Sequence, residues 1–259
     1  MAPQRLRLRN VFSDLVVGAQ PSLLPQAAAP LPLAALAETR LQHRKLPLTW
    51  LAVSLVCLPV FVQAPWVHSH PLGATLATAP LLAAGIALGL SEQPQRQQVG
   101  ALLVGFAGSW LCGSLFWGWY RQHPLIHLPI ECLALPWALA GLRSRWNVAG
   151  AFYLASLLGT AATDAAMALT GVMPLWPQVL QASPSEAGAL LSLAAQQLLH
   201  PGHLAVIGGF AVGLLGLARW LWQQGGIARI SGATLAATLA IDGLFLALAL
   251  SAPGWSGVL

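Results

Sequence analysis

At 259 residues the chain is 57% hydrophobic and only 7% charged, whereas soluble domains carry roughly 25% charged residues. Together with a mean hydropathy of +0.69, this excludes a soluble globular domain and indicates the membrane class. The net charge of +5 and pI near 9.9 do not indicate nucleic acid, because Lys and Arg stand singly between apolar runs instead of forming a patch.

Residues 1–46 differ in character from the rest. "MAPQRLRLRN" is basic, and "QPSLLPQAAAPLPLAALAETR" is rich in Pro and Ala. No signal-peptide core follows the arginines, because "LVVGA" is short and meets Gln20-Pro21 at once. The expectation is a largely disordered cytoplasmic tail with one short helix near 31–41. Arg5, Arg7 and Arg9 would attract anionic lipid weakly.

Residues 47–259 read as one membrane domain. A hydrocarbon core of about 30 Å needs about 20 apolar residues in helical form. Seven such runs are predicted: 47–66, 72–90, 99–119, 124–142, 148–172, 203–222 and 230–250. Between the last two and the fifth lies "SPSEAGALLSLAAQQLLHPG", where Ser183-Pro184-Ser185-Glu186 has the form of a capping box with proline at the first helical position. It predicts an amphipathic helix over 184–199, lying on the membrane face. The expected fold is therefore an all-α, polytopic membrane helix bundle with seven transmembrane helices plus one amphipathic interfacial helix.

Orientation follows from charge. A cytoplasmic N terminus leaves eleven of the twelve Lys and Arg residues inside and only Arg121 outside, a strong positive-inside bias. Trp50, Trp66, Trp117, Trp119, Trp146, Trp220 and Trp222 fall near predicted ends, as an aromatic belt. Gly85-x-x-x-Gly89 and Gly209-x-x-x-Gly213 predict close helix packing. Cys57, Cys112 and Cys132 stand apart in apolar runs without CxxC spacing, and read as small buried hydrophobes.

Of seven acidic residues, Asp14, Glu38, Glu92 and Glu186 fall in the tail or loops. Glu131, Asp164 and Asp242 fall inside three different spans, where a carboxylate costs several kcal/mol and usually faces the bundle interior. Each stands seven or eight residues from one end of its span, about 10–12 Å deep, so the three share a layer. His123, His127 and Glu131 recur every fourth residue, which predicts one face of a regular helix. Pro124 suits a first turn, with His123 as its cap. Pro129 predicts a kink and a freed Leu125 carbonyl, opening onto a polar cavity.

The plainer alternative is local. Asp164 follows Thr160 and Thr163, and Asp242 follows Thr234 and Thr238, so each acid can be satisfied by its own helix. His68, His70 and His203 are expected at the interface. A metal is not expected, although His-x3-His-x3-Glu invites one, because Pro124 and Pro129 disturb the spacing. GxSxG, HExxH, phosphate-loop and CxxCH motifs are absent, which leaves the cofactor open, a pigment on His127 included. The expected partners are the lipid bilayer and other membrane proteins.

"LPVFVQAP" (58–65), "FWGWYRQHPLIHLPIE" (116–131) and "YLASLLGTAATD" (153–164), followed by Met173-Pro174 and Asp242, resemble an uncharacterised cyanobacterial family of integral-membrane proteins. The resemblance covers 47–250, implies a plasma or thylakoid membrane, and brings no activity or site assignment. Pro129-Ile130-Glu131 is also similar to the Pro-x-Glu element of membrane-embedded, heterodimer-type lycopene cyclases, though Cys132 stands where that family has a second acid. Three functions compete: a proton-coupled transporter or permease of a small solute, with His127, Glu131, Asp164 and Asp242 as relay or substrate-facing groups; a membrane-embedded enzyme using Glu131 as general acid on a lipid or isoprenoid; and a non-catalytic assembly or structural protein of the photosynthetic membrane.

Overall fold

Among the described residues seven helices are long and apolar enough to cross a bilayer, and the chain is an integral membrane protein with an all-α bundle fold. The computed structural model describes residues 48–252. The expected tail over 1–46, with its short helix, lies outside these residues, as does most of the "SAPGWSGVL" terminus. The spanning helices are α1 (Leu48–Ser69), α2 (Pro71–Gly89), α3 (Pro94–Tyr120), α4 (Pro124–Gly141) and α5 (Asn147–Leu169), then α8 (Pro201–Gln224) and α9 (Gly226–Ser251). Between α5 and α8 run α6 (Leu175–Gln181) and α7 (Pro184–Leu198). No strand occurs among the described residues.

The ends have local causes. Proline opens α2, α3, α4, α7 and α8 in their first turn, where no intrahelical N–H bond is lost. At the end of α5, Gly171 takes φ +70°, and the next amide, of Val172, bonds back to Met167 O at 3.1 Å. This closes the last turn as a left-handed cap does. Gly225 and Gly226, both at positive φ, turn α8 directly into α9. The helix α7 starts where the capping box predicts: the Glu186 carboxylate accepts from the Ser183 backbone N–H at 3.0 Å and from its hydroxyl at 2.6 Å.

Helices in lipid associate through close packing rather than through exclusion of water, so small residues govern the crossings. A Cβ built on Gly100 of α3 would fall on the α2 backbone at Gly85, with its carbonyl oxygen at 2.5 Å. Gly105 meets the Ala149 carbonyl of α5 in the same way, and Gly150 that of Ala138 in α4. The Gly85/Gly89 pair thus packs as predicted. The Gly209/Gly213 pair does not: among the described residues nothing lies within 4 Å of either Cβ position. Only Ala218 of α8 is fully buried, and the helix turns most of its surface outward.

One end of the bundle, carrying the N-terminal halves of α1, α3, α5 and α9, is solid. Ala52, Leu55, Leu102, Phe106, Ala149 and Phe152 form its core. Two tryptophans expected in the aromatic belt turn inward instead. Trp146 packs over Gly89 at the α2–α5 contact, and Trp117 enters the cavity described next. Trp50, Trp119, Trp220 and Trp222 remain exposed.

Candidate functional site

Above the solid half, α1, α3, α5 and α9 part around a cavity of about 540 Å3. Leu55, Phe106 and Phe152 belong both to the core and to the cavity lining. At the opposite end, Trp176 and Val179 of α6 and Leu191 and Ala194 of α7 line it. Part of the apolar face of α7 is therefore directed at protein. The volume lies within the range of about 300–1,000 Å3 usual for small-molecule sites.

His127, Glu131, Asp164 and Asp242 all line this cavity. His127 Nδ1 lies 3.1 and 3.0 Å from the two carboxylate oxygens of Asp164. Its Nε2 lies 3.9 Å from Glu131 Oε1. The imidazole lies against aromatic groups, with the Phe116 ring centroid at 4.2 Å and the Trp176 ring at 6.0 Å. Asp242 accepts from the Thr163 hydroxyl at 2.7 Å. That bond joins α9 to α5 at the cavity wall.

Neither aspartate is satisfied by threonines of its own helix. Thr234 and Thr238 bond back to the carbonyls of Ile230 and Thr234, the usual habit of a helical threonine. Thr163 bonds to Gly159 O and reaches over to Asp242. Asp164 finds its partner in α4. The links run between helices distant along the chain.

The local geometry of α4 departs from the regular helix expected for it. Pro124–Ile126 is a 3-10 turn, His127–Glu131 an α-helical segment, and Leu135–Gly141 a second one. Each of Pro124, Pro129 and Pro136 sits in the first turn of its segment, where a proline costs least. Pro129 therefore marks a start rather than a kink, and the larger break follows Glu131. Because the 3-10 turn changes the angular spacing, His123 does not share a face with the other two. It is exposed outside the cavity, and its side chain makes no cap bond.

Two functional groups escaped the sequence reading. The break after Glu131 frees the Glu131 carbonyl and the Ala134 N–H, and the Tyr153 hydroxyl of α5 serves both. It donates to Glu131 O and accepts from Ala134 N at 3.3 Å. Non-helical backbone at membrane depth needs such a partner. Gln63 lines the cavity from a π-helical turn of α1, Pro59–Gln63, and is 2% exposed. Its amide donates to Trp110 O at 2.5 Å and to Ser114 Oγ at 2.7 Å. A glutamine between Pro59 and Pro65 in an apolar run was the available signal.

Of the remaining histidines, His68 and His70 are exposed at the end of α1. The Arg121 guanidinium donates to His68 Nδ1 at 2.6 Å, and the Arg121 carbonyl accepts from Trp176 Nε1 at 2.8 Å. Those two bonds tie the ends of α1, α3 and α6 together. His203 contacts Gln197 O at 2.9 Å. Cys57, Cys112 and Cys132 are free thiols. No group of three or more His, Cys, Asp or Glu side chains with metal-holding geometry occurs among the described residues.

The chamber thus holds an oriented imidazole next to a carboxyl group that has no direct hydrogen-bond partner. Asp164 fixes the ring through Nδ1, which leaves Nε2 turned towards Glu131. Neither a curated protein nor a solved structure matches the chain. A family model does match, over residues 52–250, which takes in five spans whole, nearly all of the first and last, and every residue of the chamber. The chain, an integral membrane protein, accordingly belongs to the DUF3120 family, a family of unknown function.

Proposed function

We propose that the protein is a proton-coupled carrier of a small solute, which binds in the chamber while His127 and Glu131 exchange a proton. The observation that carries this reading is the lining itself: four ionisable residues from α4, α5 and α9 border one cavity inside the membrane-spanning bundle. Intramembrane ionisable groups of this kind commonly mark substrate and proton paths. The broken α4 adds support, since interrupted helices recur at transporter binding sites. In this reading α2–α3, α4–α5 and α8–α9 turn their loops, with Arg96, Arg143, Arg145 and Arg229, to the cytoplasm, and the chamber lies nearer the outer face of a plasma or thylakoid membrane.

The test is reconstitution in liposomes that hold a pH-reporting dye, with a panel of small amphipathic amines, alcohols and carboxylates added outside. Solute-dependent proton movement above that of protein-free liposomes is expected for the wild type and not for Glu131→Gln. Equal signals from the two proteins, or none from either, would overturn the carrier reading.

One observation favours a second reading. Asp164 grips His127 through both oxygens, which also suits a membrane enzyme with Glu131 as general acid on a lipid or isoprenoid. A new product in lipid extracts, formed by wild type and not by Glu131→Gln, would select that reading over transport.

A further inference from the structure

The three carboxyl groups of the chamber are not equivalent. Asp164 is held by His127, and Asp242 accepts from Thr163. The Glu131 side chain makes no hydrogen bond among the described residues. Its neighbour His127 Nε2 lies at 3.9 Å, beyond bonding range. Yet the side chain is only 12% exposed. A largely buried carboxyl group without a partner is costly to ionise unless water or a guest in the cavity completes it.

The rest of the lining narrows what that something is. Among the described residues no Lys or Arg borders the cavity, and His127 is its single basic residue, already engaged by Asp164. An anion would meet three acids and no free cation. A wholly apolar guest would leave Glu131 shielded from water and unpaired. An ammonium group supplies both charge and donors. It would also find an aromatic wall: Trp117 and Trp176 stack at 5.3 Å beside the His127 ring, and indole faces attract cations. Phe106, Phe152, Ile241 and Phe245 line the remaining space and suit an apolar body.

We infer that the chamber takes an amphipathic organic cation, a protonated amine on an apolar body, with its ammonium group on Glu131 beside Trp117 and Trp176. The inference rests on reading the chamber as a solute site, and it adds the chemical class. Such an amine can come as a free solute or as the headgroup of an amino-lipid.

Binding of matched probes to the full-length protein in nanodiscs of phosphatidylglycerol tests it. The probes are 2-(1-naphthyl)ethylamine, the corresponding alcohol and 1-naphthaleneacetate, followed by calorimetry. The amine is expected to bind at least about tenfold more tightly than the alcohol, with the carboxylate weakest. Glu131→Gln should remove the preference for amine over alcohol, and Glu131→Asp, which keeps the charge, should retain part of it. Equal binding of amine and alcohol, retention of the preference in Glu131→Gln, or no amine binding would overturn the inference. Loss of amine binding on adding phosphatidylethanolamine would assign the site to a lipid headgroup, and unchanged binding to a free solute; either supports the class. Selective amine binding without coupled proton movement would sink the carrier reading alone. Alcohol-driven proton movement without amine preference would sink the class alone.

Discussion

Helices α4 and α8 are both apolar enough to cross a bilayer, and they do different things with that property. The α8 helix runs unbroken from Pro201 to Gln224, and a Cβ at Gly208, Gly209, Gly213 or Gly216 would meet nothing within 4 Å among the described residues. The α4 helix is shorter, interrupted twice, and sends His127 and Glu131 into the chamber. Apolarity therefore says where a segment resides. What it does there is set by backbone breaks and by the side chains that repair them.

The sharpest way to break this contrast is with glycine. Gly100→Val drives a side chain into the α2 backbone, so a loss of about 3 kcal/mol or more is expected, at the top of the usual overpacking range. Gly209→Val on α8 meets open space, and a change within about 0.5 kcal/mol is expected. Thermal unfolding and size-exclusion profiles in detergent would compare them. Equal damage from both would mean that α8 has a packing partner of its own.

Next in size is the repair of α4. Tyr153→Phe leaves Glu131 O and Ala134 N–H unserved, at about 1–3 kcal/mol for each buried orphan. A lowered melting temperature with faster amide exchange at Ala134 is the expected result. An unchanged melting temperature would show that water serves the break equally well. Asp164→Asn, by weakening the hold on His127, should cost about 1–3 kcal/mol and speed chemical modification of that histidine.

The smallest effect concerns α7. The Ser183 hydroxyl, and then its backbone N–H, hold the exposed Glu186 carboxyl below its ordinary value of 4.5. A lowered folded-state value favours the ionised form, so this cap is at full strength above that ordinary value of 4.5 and weakens as pH falls through the lowered value. Amide exchange in the first turn of α7 should rise at low pH in the wild type. In Glu186→Gln it should be faster already at neutral pH and nearly independent of acid.

Much of this fold was legible because lipid imposes a simple rule: runs of about 20 apolar residues become spans. The seven predicted runs end within a few residues of the helices, except that α3 starts at Pro94, where its polar first turn, Pro94 to Gln98, hid it from an apolar criterion. The shared layer of Glu131, Asp164 and Asp242 followed from counting residues along three spans. Their partners did not follow. Which threonine serves Asp242 depends on how α5 and α9 are rotated, and close contacts such as that of Gly159 with Thr238 set that rotation. Tyr153 was hidden for a related reason. In sequence it is one more aromatic residue in an apolar helix, and its hydroxyl gains a role only once α4 breaks opposite it.

The two π-helical turns, Pro59–Gln63 in α1 and Phe116–Tyr120 in α3, bear on how such chains can be compared. Each accommodates one residue more than the α-helical turn it replaces, and one residue is about 100° of rotation around the axis. A helical wheel drawn through either helix therefore holds on each side of the joint and is out of step across it. A relative lacking one residue at Pro59–Gln63 would keep a continuous helix of nearly the same length, yet turn another side chain to the place that Gln63 fills here.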